Sequence, residues 1–353
     1  MSPPTTTRQW ILANKPTDLP VFSGPNATFK LETKDLPPLK DGQVLIQAIH
    51  LSNDPAQRGW IDKHVDPARL YVPPVQVGDI MRASAVCKVV ASKAPKLKEG
   101  DLIQGFTGWA EFAVVDADTL NPIPGTDKIS PTHALGALGL TGLTAWYGMV
   151  HVVGTKKEDA VVISGAAGAT GQIAVQIAKN VIGCRKVIGI AGGTDKCKFV
   201  ESIGADVCLD YKSGSFQDDV SKAVKEAGGA EVYFDNVGGQ ILDQMLSLLN
   251  RHGRVAACGA ISDYNSSEKN AIRNYFEVIS NRLEIKGFII FDMYTRGLAD
   301  EGLKALTDAA ISGKIKLGEK SETIVKVPFE KVPETWMMLF EGGNWGKLVT
   351  TLE

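Results

Sequence analysis

Over roughly the first 125 residues, apolar positions come in short runs, among them "QVLIQAIHLS", "ASAVCKVVAS" and "WAEFAVVD". Alternation with period two is the mark of a half-buried strand. Pro37-Pro38, Pro73-Pro74, Gly100-Asp101, Gly105 and Gly108 punctuate the runs, and "LKEGDLIQGF" reads as a turn between two strands. The spacing predicts a compact β-barrel or sandwich.

Near residue 130 the pattern changes. "SPTHALGALGLTGLTAWYGMV" reads as an apolar, glycine-spaced helical region, and strands and helices alternate after it. The predicted strands are "AVVISG", "KVIGIAG", "VCLDY", "EVYFDNVG", "GRVAACGA" and "LEIKGFII". Between them, apolar residues recur at helical spacing: Ile173, Ile177 and Val181, then Val220, Val224 and Ala227. Alternating β and α predicts a parallel sheet covered on both faces, and six strands match the doubly wound dinucleotide fold. After about residue 305 a helix, a strand, a helix and a last strand break the repeat and read as a return to the first domain. The expected division is therefore a β-rich substrate domain over 1–130, a dinucleotide-binding domain over 131–305 and a returning segment over 306–353.

Length and composition agree with two globular domains: 353 residues, 44% hydrophobic and 22% charged. The formal net charge of -2 comes with no basic cluster, so neither nucleic acid nor an anionic membrane is an expected partner. No signal-peptide pattern and no membrane-length apolar run is read in the sequence. Cys87, Cys184, Cys197, Cys208 and Cys258 are scattered, as are the five histidines. Such scatter suits reduced thiols in a cytoplasmic setting and lacks the short spacings of a zinc site.

The chemistry begins at "VVISGAAGATGQIA", residues 161–174, which reads as strand, glycine-rich turn and helix start. In a G-x-G-x-x-G loop the first glycine makes the turn, the second admits the pyrophosphate and the third lets helix and strand pack closely. Gly168 and Gly171 hold the second and third places; Ala166 stands in the first, one residue after Gly165. Alanine is allowed there if its φ is negative. The helix N-terminus behind the loop offers N–H groups to phosphate. The next predicted strand ends Ala191-Gly192-Gly193-Thr194, with no carboxylate where NAD binding places one; Asp195 follows late, beside Lys196. That end favours the 2′-phosphate of NADPH. Lys196 is either a phosphate ligand or a solvated first-turn lysine. Tyr211 either flanks the adenosine or is a half-buried core aromatic.

Ligands in such sheets lie beyond the carboxyl ends of the strands. This selects Asn236 in "FDNVGG" and Gly259 to Tyr264 in "CGAISDY". Asn236 offers an amide to a ribose or the nicotinamide arm, or else is a turn asparagine. Asp235 reads as a turn or capping acid. Tyr264 is either a donor to a substrate oxygen or ribose hydroxyl, or an aromatic packed on its loop.

These residues identify a resemblance. "LGLTGLTAWYGM", "GAAGATGQIAVQIAK", "FDNVGG", "CGAISDYN" and "GGNWGK" look like the zinc-independent branch of the medium-chain dehydrogenase/reductase superfamily, which contains prostaglandin reductases, alkenal double-bond reductases and curcumin reductase. The resemblance implies a Rossmann-type sheet beside a GroES-like β-rich domain, and a cytoplasmic homodimer without metal. It implies NADPH-dependent reduction of a C=C bond conjugated to a carbonyl in a small-molecule substrate. Carried over, it assigns Ala166, Ala167, Gly168 and Ala169 to the pyrophosphate, Lys196 to the 2′-phosphate, and Tyr211 and Asn236 to the nucleotide site. Cys258, Gly259, Ala260, Ile261 and Tyr264 would pass along the nicotinamide ribose, with Asn344 reaching the cofactor and Tyr264 near the substrate carbonyl.

One departure concerns the pocket. The family's L-S-x-D-P-Y-M-R is here Leu51-Ser52-Asn53-Asp54-Pro55-Ala56-Gln57-Arg58. Asn53 and Ala56 are the expected pocket residues, and Ala56 and Gln57 predict a wider, more polar wall. The zinc enzymes' G-H-E segment is also missing from "VGDIMRASAV". Three other readings stay open: a quinone oxidoreductase, a carbonyl-reducing alcohol dehydrogenase and a non-catalytic NADPH sensor.

Overall fold

The computed structural model describes residues 3–123, 129–266 and 268–353. The strands, in chain order, are β1 Thr6–Leu12, β2 Phe29–Asp35, β3 Gln43–Ser52, β4 Ser84–Ser92, β5 Leu102–Phe106, β6 Phe112–Asp116, β7 Asn121–Pro122, β8 Ala160–Ser164, β9 Lys186–Ala191, β10 Val207–Asp210, β11 Ala230–Asp235, β12 Leu249–Ala257, β13 Glu284–Gly287, β14 Glu322–Val327 and β15 Lys347–Leu352. They divide between two compact units. One holds 1–135, 324–343 and 348–353; the other holds 136–323 and 344–347.

The first unit is built on a sheet in the order β14-β15-β3-β4-β5-β7, with β6 also on β3, and a separate β1-β2 pair. Strand β3 pairs with β6 over Gln43–Gln47 and with β15 over His50–Ser52. Its register against β4 shifts at Leu45/Ile46 and at Ala48/His50. Such bulges bend a strand and break simple alternation, which is why Val44, Leu45 and Ile46 are all buried in succession. The core gathers around Phe29, Trp109 and Trp336, with ring centroids 4.9 Å (Phe29–Trp109) and 5.8 Å (Trp109–Trp336) apart. Trp336 belongs to the helix Val332–Glu341, so the late return of the chain supplies part of this core.

The second unit carries six parallel strands in the order β10-β9-β8-β11-β12-β13. Every residue of β8 is buried. Val161 and Ile163 face one cluster with Phe234 and Ile173; Val162 faces another with Tyr233, Ile188 and Val220. A sheet buried on both faces needs continuous apolar strands, as this sequence has.

The glycine-spaced region is helical as expected, in three pieces: a 3-10 turn, Pro131–Leu135, then an α-helix from Leu140 to Tyr147 that ends in a π-turn, Gly148–Val152. Two expectations are corrected. Val181 is 37% exposed. The helix Ala169–Gln176 runs into a π-turn over Ile177–Ile182, whose wider winding turns Ile182 toward the core in its place. Finally, the segment from 306 to 323 stays with the parallel sheet, because the helix Ala299–Ile311 buries Leu306 and Ala309 in the same core as Leu143 and Trp146.

Candidate active site

Five of the residues singled out in the second unit directly follow the carboxyl ends of its strands: Gly165 after β8, Gly192 after β9, Tyr211 after β10, Asn236 after β11 and Cys258 after β12. The chain order reverses between β8 and β11, the place where open α/β sheets bind ligands.

At the glycine loop the left-handed residue is Gly165, at φ +58°, and Ala166 is not among the positive-φ residues. The turn glycine has moved back by one position. Ala166 is fully buried and its N–H donates to the Ile190 carbonyl at 2.9 Å. It therefore offers a ligand neither side chain nor N–H. A β-carbon on Gly171 would lie 2.2 Å from the Gly165 carbonyl oxygen, so this glycine is required for the helix to seat against the loop. Gly168 is the N-cap of the helix Ala169–Gln176, and no side chain caps that end.

The segment Asn344–Lys347 belongs to this unit and docks on the loop. The Gly346 N–H donates to the Ala167 carbonyl at 2.9 Å, and Gly346 bridges Gly168 in parallel. A β-carbon on Gly346 would meet the Ser321 carbonyl oxygen at 2.0 Å. Asn344 Nδ2 donates to the Gly346 carbonyl at 2.9 Å, so the asparagine is braced beside the loop.

The corner after β9 is more elaborate than its sequence suggests. Tyr211, 49% exposed, rests against Gly192, where a β-carbon would come within 2.7 Å of its ring. It is not a core aromatic. One carboxylate does stand here: Asp210, from the neighbouring strand. Its Oδ1 accepts the N–H groups of Gly193 (2.8 Å) and Lys212 (2.9 Å), which hold it below the usual carboxylate range. Lys196 is half-buried on the helix Thr194–Ser202. Burial, and then the charge of Lys212, lower its pKa. A half-buried lysine whose charge is disfavoured by a neighbouring lysine makes a ready place for an anion. Lys212 and Asp210 were missed because they sit at the end of the third strand; the signal was a basic residue directly after Tyr211.

Across the crevice, Asn236 Nδ2 donates to the Ser164 carbonyl at 2.7 Å and its N–H donates to Ser164 Oγ at 3.0 Å. The amide nitrogen thus ties β11 to β8, and Oδ1 is the end left for a ligand. Asp235 is buried, and its Oδ1 accepts from Tyr233 Oη (2.8 Å), Gly238 N–H (2.9 Å), Val237 N–H (3.0 Å) and Ser164 Oγ (3.2 Å). Burial raises its pKa against those donors. It is the organising acid of the turn, as its sequence position suggests.

The loop Cys258–Tyr264 leans on this turn. The N–H groups of Cys258 and Gly259 donate to the Asp235 carbonyl at 2.9 and 3.1 Å, and Ser262 Oγ donates to the Val237 carbonyl at 2.7 Å. Burial first, and the Asp235 carboxylate second, push the Cys258 thiol up to about 12, away from the thiolate form. The Ile261 N–H donates to the Asn236 carbonyl at 3.4 Å. Tyr264 is half-buried and folds back over Gly259; its hydroxyl oxygen accepts the Ala260 N–H at 3.3 Å.

The two residues expected at the pocket lie in the first unit. Asn53 is buried, and its Nδ2 donates to Thr350 Oγ1 at 2.9 Å. Ala56 is half-buried against the core. Gln57 is fully buried: its Oε1 accepts the Asp54 N–H at 2.7 Å and its Nε2 donates to the Arg82 carbonyl at 2.8 Å. The polar wall expected from Gln57 is not there, because both ends of its amide are bound to backbone.

Among the described residues no group of three or more His, Cys, Asp or Glu side chains could hold a metal ion, and no helix is long and apolar enough to cross a membrane. The family model for the N-terminal domain of oxidoreductase matches residues 8–123, and that for zinc-binding dehydrogenase matches residues 169–304. The chain is 33% identical to NADPH-dependent curcumin reductase of Escherichia coli over 97% of its length and 96% of that protein's. It is 35% identical to prostaglandin reductase 1 of Oryctolagus cuniculus, over 91% and 88%. The solved structure of CurA from Vibrio vulnificus, in complex with NADPH, matches with a TM-score of 0.86 at 33% identity, over 98% of this chain and 99% of that one.

Proposed function

The chain belongs to the zinc-independent medium-chain dehydrogenase/reductase family, alongside curcumin and prostaglandin reductases, and on that premise we propose that it is an NADPH-dependent ene reductase of α,β-unsaturated ketones or aldehydes. The observation that carries the choice of cofactor is the lysine pair, Lys196 and Lys212, at a strand end that lacks the ribose-binding acid. It suits a 2′-phosphate and has no use for a bare hydroxyl. The uncapped helix N-terminus behind Gly168 suits the pyrophosphate, with the first-turn N–H groups from Ala169 onward as donors. Tyr211 and Gly192 would border the adenosine, and Asn236 and Asn344 would offer their Oδ1 atoms nearer the nicotinamide.

NADPH, when bound, would supply a hydride to the β-carbon of the substrate. Negative charge would then grow on the substrate carbonyl oxygen, where Tyr264 would donate a hydrogen bond, and the α-carbon would take a proton from Tyr264 or water to give the saturated product. The Tyr264 oxygen already accepts the Ala260 N–H, which fixes the ring, directs the hydroxyl hydrogen elsewhere and polarises it. Loss of one such donor typically costs about 100-fold in turnover. Tyr264→Phe should therefore lower kcat by about that factor with NADPH affinity little changed. Unaltered turnover would remove Tyr264 from the reaction. The class of reaction is tested by following NADPH absorbance with a simple enone and with a quinone, and by identifying the product as saturated ketone. Oxidation with the quinone alone would make this a quinone oxidoreductase.

The reading includes a cytoplasmic homodimer. Its support is the outer edge of the parallel sheet, where all of β13 is exposed, together with Tyr275, Phe276 and Ile279 just before it. A monomeric mass by light scattering would remove it.

A further inference from the structure

We propose that Trp345 is a positioning residue for the cofactor: its indole couples the segment lying on the glycine loop to the helix that carries Lys196, and so sets the spacing between the two phosphate-binding places. This rests on the NADPH reading above and deepens it, from which groups bind to what holds them in register.

Backbone holds the segment Asn344–Lys347 from two sides. The Gly346 N–H donates to the Ala167 carbonyl at 2.9 Å, and a β-carbon on Gly346 would lie 2.0 Å from the Ser321 carbonyl oxygen. That Ser321 carbonyl is itself tied to the helix behind the loop, because it accepts Gln172 Nε2 at 2.7 Å. The main chain of Trp345 is clamped as well. Its N–H donates to Thr323 Oγ1 at 2.8 Å, and that hydroxyl donates to the Trp345 carbonyl at 2.8 Å. With the main chain so fixed, the half-buried indole reaches the helix Thr194–Ser202. There it meets the Phe199 ring edge-on, with 5.6 Å between centroids and 73° between planes. Lys320 Nζ stands 4.5 Å from the indole centroid, a cation–π contact that further fixes the ring.

Phe199 is buried in the same core as Ala166, Ala167 and Val200. It stands three residues after Lys196, about one helical turn on, so the two side chains share a face of the helix. A tilt or slide of this helix that moves Phe199 moves Lys196 with it. The contacts therefore run from Gly168 through Gly346 and Trp345 to Phe199, and along the helix to Lys196. A ligand that reaches both ends binds best when their spacing matches its own, and a ligand held at one end is indifferent to that spacing. NADPH is of the first kind. NADH, which lacks the 2′-phosphate, and 2′-AMP, which lacks the pyrophosphate, are of the second.

The test measures dissociation constants of NADPH, NADH and 2′-AMP by calorimetry on the full chain, wild type and with Trp345→Leu, Trp345→Phe, Phe199→Leu or Lys196→Ala. Trp345→Leu should weaken NADPH about fivefold, within the range of one lost aromatic pair, and leave NADH and 2′-AMP within about twofold. Trp345→Phe keeps a ring against Phe199 and should recover most of the loss. Phe199→Leu should reproduce the loss, and it decides the matter if Trp345→Leu does not fold. Equal weakening of NADPH and NADH would mean damage to the loop, and weakening of 2′-AMP would mean damage to the lysine corner. Either result, or an unchanged NADPH affinity, overturns the proposal. Failure of the cofactor reading looks different: Lys196→Ala leaves NADPH unaffected, or the wild type does not prefer NADPH to NADH, and the proposal falls with it.

Discussion

The two loops that the sequence nominates, Gly165–Gly171 in one unit and Asn53–Arg58 in the other, are made in opposite ways. The first is shaped by backbone. Gly165 takes a left-handed turn, Gly171 lies against the Gly165 carbonyl, and Gly346 lays a second strand of chain beside Gly168. Apart from Thr170, its side chains are methyls or nothing. The second is shaped by side chains that turn inward. Asn53 holds Thr350, Gln57 holds Asp54 and Arg82, and Arg58 holds Asp62 and the Asp18 carbonyl. The first loop can therefore present N–H groups to a phosphate that every member of a cofactor class shares. The second spends its polar groups on its own fold, tying the turn to neighbouring backbone and side chains.

The sharpest way to break the contrast is to add a side chain where backbone alone fits. Gly171→Val places atoms on the Gly165 carbonyl, 2.2 Å from the first of them. The clash is with main chain on both sides, so relaxation is limited. Destabilisation should exceed about 4 kcal/mol, with NADPH binding lost. Chemical denaturation and cofactor titration read both, and a stable variant with normal affinity would show that the close approach is dispensable.

The converse change, Gln57→Met, puts the family's apolar residue into the side-chain loop. It removes an acceptor from the Asp54 N–H and a donor from the Arg82 carbonyl, both made by a fully buried residue. The expected loss is about 2 kcal/mol of stability, from leaving buried backbone groups unmet. If Gln57 lined an open pocket, water would replace both bonds and a denaturation curve would hardly move.

Lys196 and Lys212 sharpen the comparison within the nucleotide unit, since under the proposed function side chains rather than backbone would select the cofactor. Lys196→Ala should raise the Michaelis constant for NADPH about tenfold or more and leave that for NADH little changed, as expected of a charge-assisted bond to phosphate. Lys212 is exposed and should contribute less, about threefold. Equal effects on the two nucleotides would assign both lysines to the surface.

How much of this was legible follows from the same contrast. The strand sequence β8 to β13 and its crevice could be read from apolar runs and glycines, because burial on both faces leaves a pattern in each strand separately. Lys196 could be nominated because it lies just past a single strand end. Lys212 and Asp210 could not, since their relevance arises from β10 lying beside β9. Gln57 was misjudged because its partner, the Arg82 carbonyl, lies 25 residues away. Val181 was misjudged because one π-turn changed the phase of its helix. Periodicity shows what a segment does alone; it is silent on what a distant segment supplies.

The smallest expected effect concerns the residue that first made the nucleotide loop look irregular. Ala166 occupies the place of the usual turn glycine, yet the left-handed conformation is carried by Gly165. The Ala166 methyl is fully buried, in the same cluster as Val161, Ile173 and Val200, and lies near Gly189. Ala166→Gly would restore the familiar motif and should make the protein slightly worse. One buried methyl is lost and the unfolded chain gains freedom, together about 1–2 kcal/mol. NADPH affinity should stay within about twofold, because the Ala166 N–H already donates to Ile190 and meets no phosphate. A gain in stability or a tighter grip on the cofactor would mean that the alanine is a tolerated defect; the structure makes it the better residue, with the turn made one position earlier.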